Sequence, residues 1–169
     1  MSSLCHARMW QSGAGKTETT KVLLQFLAAR SGDGAGDSVQ RALLECNPVL
    51  EAFGNARTLR NDNSSRFGKW VEVRFDDNGT IVGGEVRTYL LEKSRVATVP
   101  LGERNFHVFY QLLSAPDGAL SRAASMPLPK VGEAEYLRGS GCLEIAGVND
   151  AERCVPLCLI ALPLIIIVI

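Results

Sequence analysis

The sequence predicts an α/β fold in which a glycine-rich loop opens the first helix and a β-hairpin follows a second, polar loop. Three observations carry this prediction. Ser12-Gly13-Ala14-Gly15-Lys16-Thr17 runs straight into an apolar, helix-forming segment. Asn61 to Lys69 gathers two adjacent hydroxyls, an arginine and several amides just ahead of a strand. Trp70 to Phe75 then alternates as a half-buried strand should, before the strong turn signal Asp77-Asn78-Gly79.

Residues 1 to 10 show neither alternation nor an apolar run, so no strand is predicted there. The first helix runs from about Lys16 to Arg30, with Val22, Leu23, Leu24, Phe26 and Leu27 as its apolar band, and ends at the glycine-rich stretch Ser31 to Asp37. Val39 to Cys46 reads as a second short helix that Asn47-Pro48 breaks, with Val49 to Phe53 adding a turn or two before Gly54. Ala56 to Arg66 reads as polar loop. The strand from Trp70 is expected to return over Thr80 to Leu91, bulged at Gly83-Gly84. Asn105 to Leu113 has apolar residues at helical spacing, Ser114 to Pro129 is loop, and Cys142 to Val148 reads as a short strand. There is no internal repeat.

The composition narrows the partners. Eighteen basic and eighteen acidic residues cancel, which argues against nucleic acid or an anionic membrane surface. The five cysteines, Cys5, Cys46, Cys142, Cys154 and Cys158, are scattered and odd in number, as expected of free thiols in a cytoplasmic protein without a secretory leader. Cys154 and Cys158 stand four apart but have no second pair, and His6 and His107 are read as ordinary residues, so no zinc site is expected.

The phosphate loop has the chemistry that a triphosphate requires. Glycines let backbone N–H groups close on an anion, and the helix N-terminus adds about half a positive charge. Lys16 would reach the outer phosphates and Thr17 would offer its hydroxyl to magnesium. The pattern departs from G-x-x-x-x-G-K-[ST] at its first position, where Trp10 stands. Taken alone, it is also compatible with a glycine-rich helix start that binds nothing. The second motif, Asn61-Asp62-Asn63-Ser64-Ser65-Arg66-Phe67-Gly68-Lys69, can supply a magnesium ligand, a phosphate donor and a planar charge for a carboxylate.

Together these loops resemble the myosin motor head, whose signatures are GESGAGKTE and NxNSSRFGK. Asn47 to Ala56 is similar to that family's NPxLEAFGNA, Tyr89 to Val96 to its YLLEKSRV, and Gly102 to Leu112 to its GERNFHxFYQL. Kinesins share a phosphate loop and an SSR switch, but theirs continues Ser-His where this chain has Phe67-Gly68. The resemblance covers roughly Gln11 to Arg153. It implies a P-loop NTPase-type fold, a twisted, mostly parallel sheet flanked by helices, of which this chain is expected to hold a part.

The resemblance also implies roles. Ser12, Gly13, Ala14, Gly15 and Lys16 would line the phosphates of ATP, Thr17 and Ser65 would hold Mg2+, and Asn61 and Ser64 would face the phosphates. Ser64 would sit near the γ-phosphate and the attacking water, and Arg66 would pair with a Glu of the second switch. That Glu belongs to a DIxGFE motif absent from these 169 residues, so Arg66 is expected to stand without its carboxylate and turnover at a motor-like rate is not expected. The implied function is an ATP-binding part of an actin-based cytoskeletal motor. The alternative is a catalytically dead interaction or membrane-tethered protein that keeps motor-head sequence as a scaffold.

Three segments are expected: 1–10 outside the family pattern, 11–153 as partial motor domain, and 154–169 as an apolar tail. As a helix, Val155 to Ile169 would span about 22 Å against a hydrocarbon core of about 30 Å, and Pro156 and Pro163 weaken it. A tail anchor, a buried strand and sequence foreign to the family all remain open for it. Trp10 occupies the place where the chain turns from strand into phosphate loop, and a bulky residue forced into such backbone costs about 1–3 kcal/mol. Trp10→Gly with an apolar strand before it is therefore expected to raise nucleotide affinity by about five- to 150-fold. Removing Val155 to Ile169 is expected to give less, and titration of both variants at equal folded fraction checks the order.

Overall fold

Gly15 introduces the first helix with φ of 80°, a left-handed conformation that favours glycine. The computed structural model describes residues 15–30, 37–115 and 129–154. Trp10, Ser12, Gly13 and Ala14, the stretch 31–36, most of the 114–129 loop and the tail from Val155 lie outside the described residues. Helix α1 (Lys16–Arg30) has the predicted bounds, with Glu18 in its first turn and Arg30 in its last, each complementing the helix dipole. The Thr19 N–H donates to the Gly15 carbonyl at 2.8 Å. Leu24 is buried while Val22, Leu23 and Phe26 are exposed.

Helix α2 (Asp37–Gly54) is continuous through Pro48, where the sequence suggested a break. A proline inside a helix removes one hydrogen bond and costs about 3 kcal/mol. Burial of the turns that follow offsets this cost, since Ala52 is in the core and Val49 packs against it. The described residues fall into two compact units: those up to Asn47 with Gly68–Tyr89, and Pro48–Phe67 with Leu90 onward.

In the second unit, β1 (Asn55–Thr58) and β2 (Asn61–Ser65) form an antiparallel pair, so the stretch read as polar loop is a small hairpin. Polar side chains hide this from an alternation test. Its ladder pairs Asn55 with Ser65 and Ala56 with Ser64, shifts register, and closes with Thr58 opposite Asn61. The Thr58 hydroxyl accepts from the Asn61 N–H at 3.2 Å across the turn. Ala56 also bridges to Phe106, which joins the pair to a core of Ala52, Ala56, Phe106 and Val108.

In the first unit, β3 (Gly68–Phe75) and β4 (Ile81–Tyr89) form the expected hairpin. Its turn is held by Asp76, whose carboxylate accepts from the N–H groups of Asn78 (3.0 Å) and Thr80 (2.7 Å), and by Gly79 at φ 81°. Gly83 and Gly84 pair regularly with Arg74 and Val73; the irregularity lies beyond them, where Phe75 pairs with Ile81 and Val82 is the extra residue. The two glycines stand next to the bulge and not in it, since the extra residue itself needs no glycine.

The chain continues through α3 (Ser94–Ala97), α4 (His107–Leu113) and α5 (Glu135–Arg138), and residues 150–154 are helical. Cys142 to Val148 is not a strand: Gly141 and Gly147 adopt φ of 69° and 74°, and the Val148 N–H turns back to the Ile145 carbonyl. Among the described residues both ladders are antiparallel and two-stranded, and they hold no parallel pair. Antiparallel hairpins close through a few residues, whereas a parallel pair needs a crossover of a dozen or more.

Gly54 ends α2 under the Phe67 ring, and a Cβ built on it would lie 2.3 Å from two ring carbons. The Arg66 N–H donates to the Gly54 carbonyl at 2.8 Å, so the backbone is also tied at this point. Gly54→Ala is expected to lower stability by about 1–3 kcal/mol through overpacking, measured by chemical denaturation. A loss below a few tenths of a kcal/mol would contradict this close approach.

Candidate functional site

The predicted site residues fall on both units. Of the phosphate loop, Gly15 is described with its left-handed φ, and Lys16 and Thr17 are described as the first backbone positions of α1. The residues of the second motif lie on β2 and just after it. Strand alternation buries Ser64, at 3% exposure, and leaves Ser65 exposed.

The Ser64 hydroxyl accepts from Arg66 Nη1 at 3.1 Å, which leaves its own proton free to donate to a phosphate oxygen or a water. The Ser65 hydroxyl donates to the Phe67 carbonyl at 2.9 Å, which leaves its oxygen lone pairs for a hard cation. Asn61 Oδ1 accepts the Asn63 N–H at 2.9 Å, so its amide nitrogen is the group left to donate. This donor and acceptor set suits magnesium and phosphate.

Arg66 has a carboxylate partner, and it is a different one from the second-switch Glu that the resemblance implied. Its Nε donates to Glu92 Oε2 at 2.7 Å, and the Glu92 N–H donates to the Arg66 carbonyl at 2.9 Å. Glu92 lies 26 residues away, a separation across which no local pattern reports the pairing. Hydrogen bonding from Arg66, with Arg95 adding to it, holds the Glu92 carboxyl down at about 2, so it stays ionised under any ordinary assay condition.

Asn63 lies within the second polar motif, and nothing in the local sequence indicates its partners. Its Nδ2 donates to Glu51 Oε2 at 3.0 Å, and its Oδ1 accepts from Asn55 Nδ2 at 2.9 Å. Because a carboxylate only accepts, this orientation places the amide oxygen toward His107 Nε2, 3.1 Å away, which must therefore carry the proton. One amide thus joins α2, β1, β2 and α4. Burial pushes the His107 pKa down to about 4, with Arg104 and Arg153 adding repulsion. Beside it, Arg104 is fully buried, donates to Asp150 at 2.7 Å and lies 3.6 Å over the Tyr110 ring.

A helix opened by a left-handed glycine and an antiparallel hairpin that carries Asn61 to Ser65 are the parts of an α/β protein that hold these residues. Residues 9–162 match the myosin head (motor domain) family, and the chain belongs to that family. It is 53% identical over 145 residues to Myosin-6 of Arabidopsis thaliana, covering 85% of this chain and 9% of that protein. To Myosin-1 of the same plant it is 51% identical over 143 residues, covering 85% and 12%. To the Myosin ID heavy chain of Dictyostelium discoideum it is 50% identical over 157 residues, covering 92% and 14%. The chain therefore spans roughly a tenth of the length of these relatives.

His107 makes stability depend on pH in a defined direction. The unfolded chain takes up the imidazole proton near pH 6.5 and the native protein only near 4, so native stability falls as pH drops through that window. The loss should reach about 3 kcal/mol at its lower end. His107→Gln keeps a donor without a titrating group and should flatten this decline relative to the parent protein in urea melts. Parallel curves for the two proteins would show that the imidazole is not the source.

Proposed function

We propose that this chain is the ATP-binding part of an actin-based motor, working in the cytoplasm on the cytoskeleton. The observation that carries the reading is the state of the two switch hydroxyls in a chain of this family. Ser64 is buried with its proton free, held by Arg66, while the neighbouring Ser65 offers lone pairs on the exposed side.

In this reading Ser12, Gly13, Ala14, Gly15 and Lys16 line the phosphates, and Asn61 and Ser64 donate to them from the switch. Ser64 stands near the γ-phosphate and the attacking water, with Arg66 fixing its hydroxyl. Thr17 and Ser65 hold magnesium, which when bound neutralises charge on the outer phosphates. Actin is the partner proposed for the whole protein. The relatives named above are themselves called myosins, which supports the motor reading over that of an inert scaffold.

Equilibrium binding of a fluorescent ATP analogue with magnesium tests the proposal. Micromolar affinity is expected, lost on Lys16→Ala and weakened about tenfold by Ser64→Ala, the cost of one hydrogen bond to a charged group. A folded chain that binds no nucleotide would overturn it.

A further inference from the structure

We propose that Glu92 is a positioning residue for the switch: its carboxylate holds Arg66, and through Arg66 the Ser64 hydroxyl, in the orientation that an incoming triphosphate meets. This rests on the nucleotide-binding reading above and adds a residue to it. The geometry gives Arg66 two anchors on one rigid plane, Nε on Glu92 Oε2 at 2.7 Å and Nη1 on Ser64 Oγ at 3.1 Å. With both made, the guanidinium cannot swing without breaking a charged hydrogen bond.

Glu92 can hold Arg66 because it is itself held. Its Oε2 also accepts from Arg95 Nε at 2.7 Å, and the Arg95 N–H donates to the Glu92 carbonyl at 3.2 Å. The Arg95 side chain is 3% exposed, and its other nitrogens donate to the Arg104 carbonyl at 3.0 Å and to Glu103 Oε2 at 2.9 Å. Every donor nitrogen of the buried arginine is thus committed. Glu92 is the junction at which this immobile cluster meets the half-exposed Arg66, and the backbone bond from Glu92 to the Arg66 carbonyl sets the strand end at the same place.

Glu103 separates positioning from mere support. It also binds Arg95, but the hydrogen bonds and ion pairs of Arg66 go to Glu92 and Ser64 and not to it. If Glu92 acted only by neutralising Arg95, the loss of either acidic side chain would have similar consequences.

The experiment uses the whole chain in two measurements. In the parent protein the Arg66 15Nε–1H resonance should exchange slowly with water, and Glu92→Gln should abolish that protection. Titration with the fluorescent ATP analogue and magnesium should then show Glu92→Gln weakening binding about tenfold, as expected for a charged hydrogen bond. In an Arg66→Met background the same change should add nothing, and Glu103→Gln should stay within about twofold of the parent at equal folded fraction. The inference is overturned if the parent binds nucleotide and Glu92→Gln binds equally well, or if the loss persists without Arg66. Fast exchange of the Arg66 resonance in the parent also overturns it, so a variant that fails to fold does not protect the proposal. A parent chain that binds no nucleotide is a different result, which removes the nucleotide reading and this role together.

Discussion

One carboxylate oxygen, Glu92 Oε2, accepts from two arginines at 2.7 Å each, and it ties Arg66 to the buried Arg95 cluster. Two guanidinium groups brought to one place repel each other, and Arg95 is buried where a lone cation would be costly. The shared anion turns this repulsion into a clasp. Because the Arg95 fork is also satisfied by Glu103 and the Arg104 carbonyl, the position of the anion follows from the fold around it. Arg66, and with it Ser64, inherits that position.

Strand β2 is secured in a different way from an ordinary core strand. Its residues Asn61, Asp62, Asn63, Ser64 and Ser65 contribute no large apolar side chain. Their places come from specific polar bonds instead: Asn63 to Glu51, Asn55 and His107, and Asp62 to Arg57 at 2.9 Å. Apolar packing enters from beside the strand, through Ala56 against Phe106 and through Phe67 over Gly54. Such an arrangement leaves hydroxyls and amides available to a ligand while fixing the backbone that bears them.

Proline and glycine had local meanings that packing could override or relocate. Pro48 remains inside α2 because Ala52 and Val49 beyond it are drawn into the core. Gly83-Gly84 pairs regularly while Val82 takes the bulge. In contrast, Gly79 sits at the tip of the β3–β4 hairpin, where Asp77-Asn78-Gly79 indicated a turn, because the left-handed φ there is a local steric requirement.

The sequence by itself determined what depends on neighbours within a few residues. This includes the bounds of α1, the β3–β4 hairpin and its turn, the helix after Asn105, and the two motifs whose residue types suit phosphate and magnesium. Tertiary structure alone decided that the polar stretch Asn55–Ser65 is a hairpin, that α2 is continuous, and that Cys142 to Val148 is not a strand. It also decided the partners of the site: Glu92 for Arg66, and Glu51 and His107 for Asn63. The reason is physical. Steric and turn preferences act over one to four residues and leave a periodic trace, whereas a charge pair or a buried amide is set by where distant segments pack.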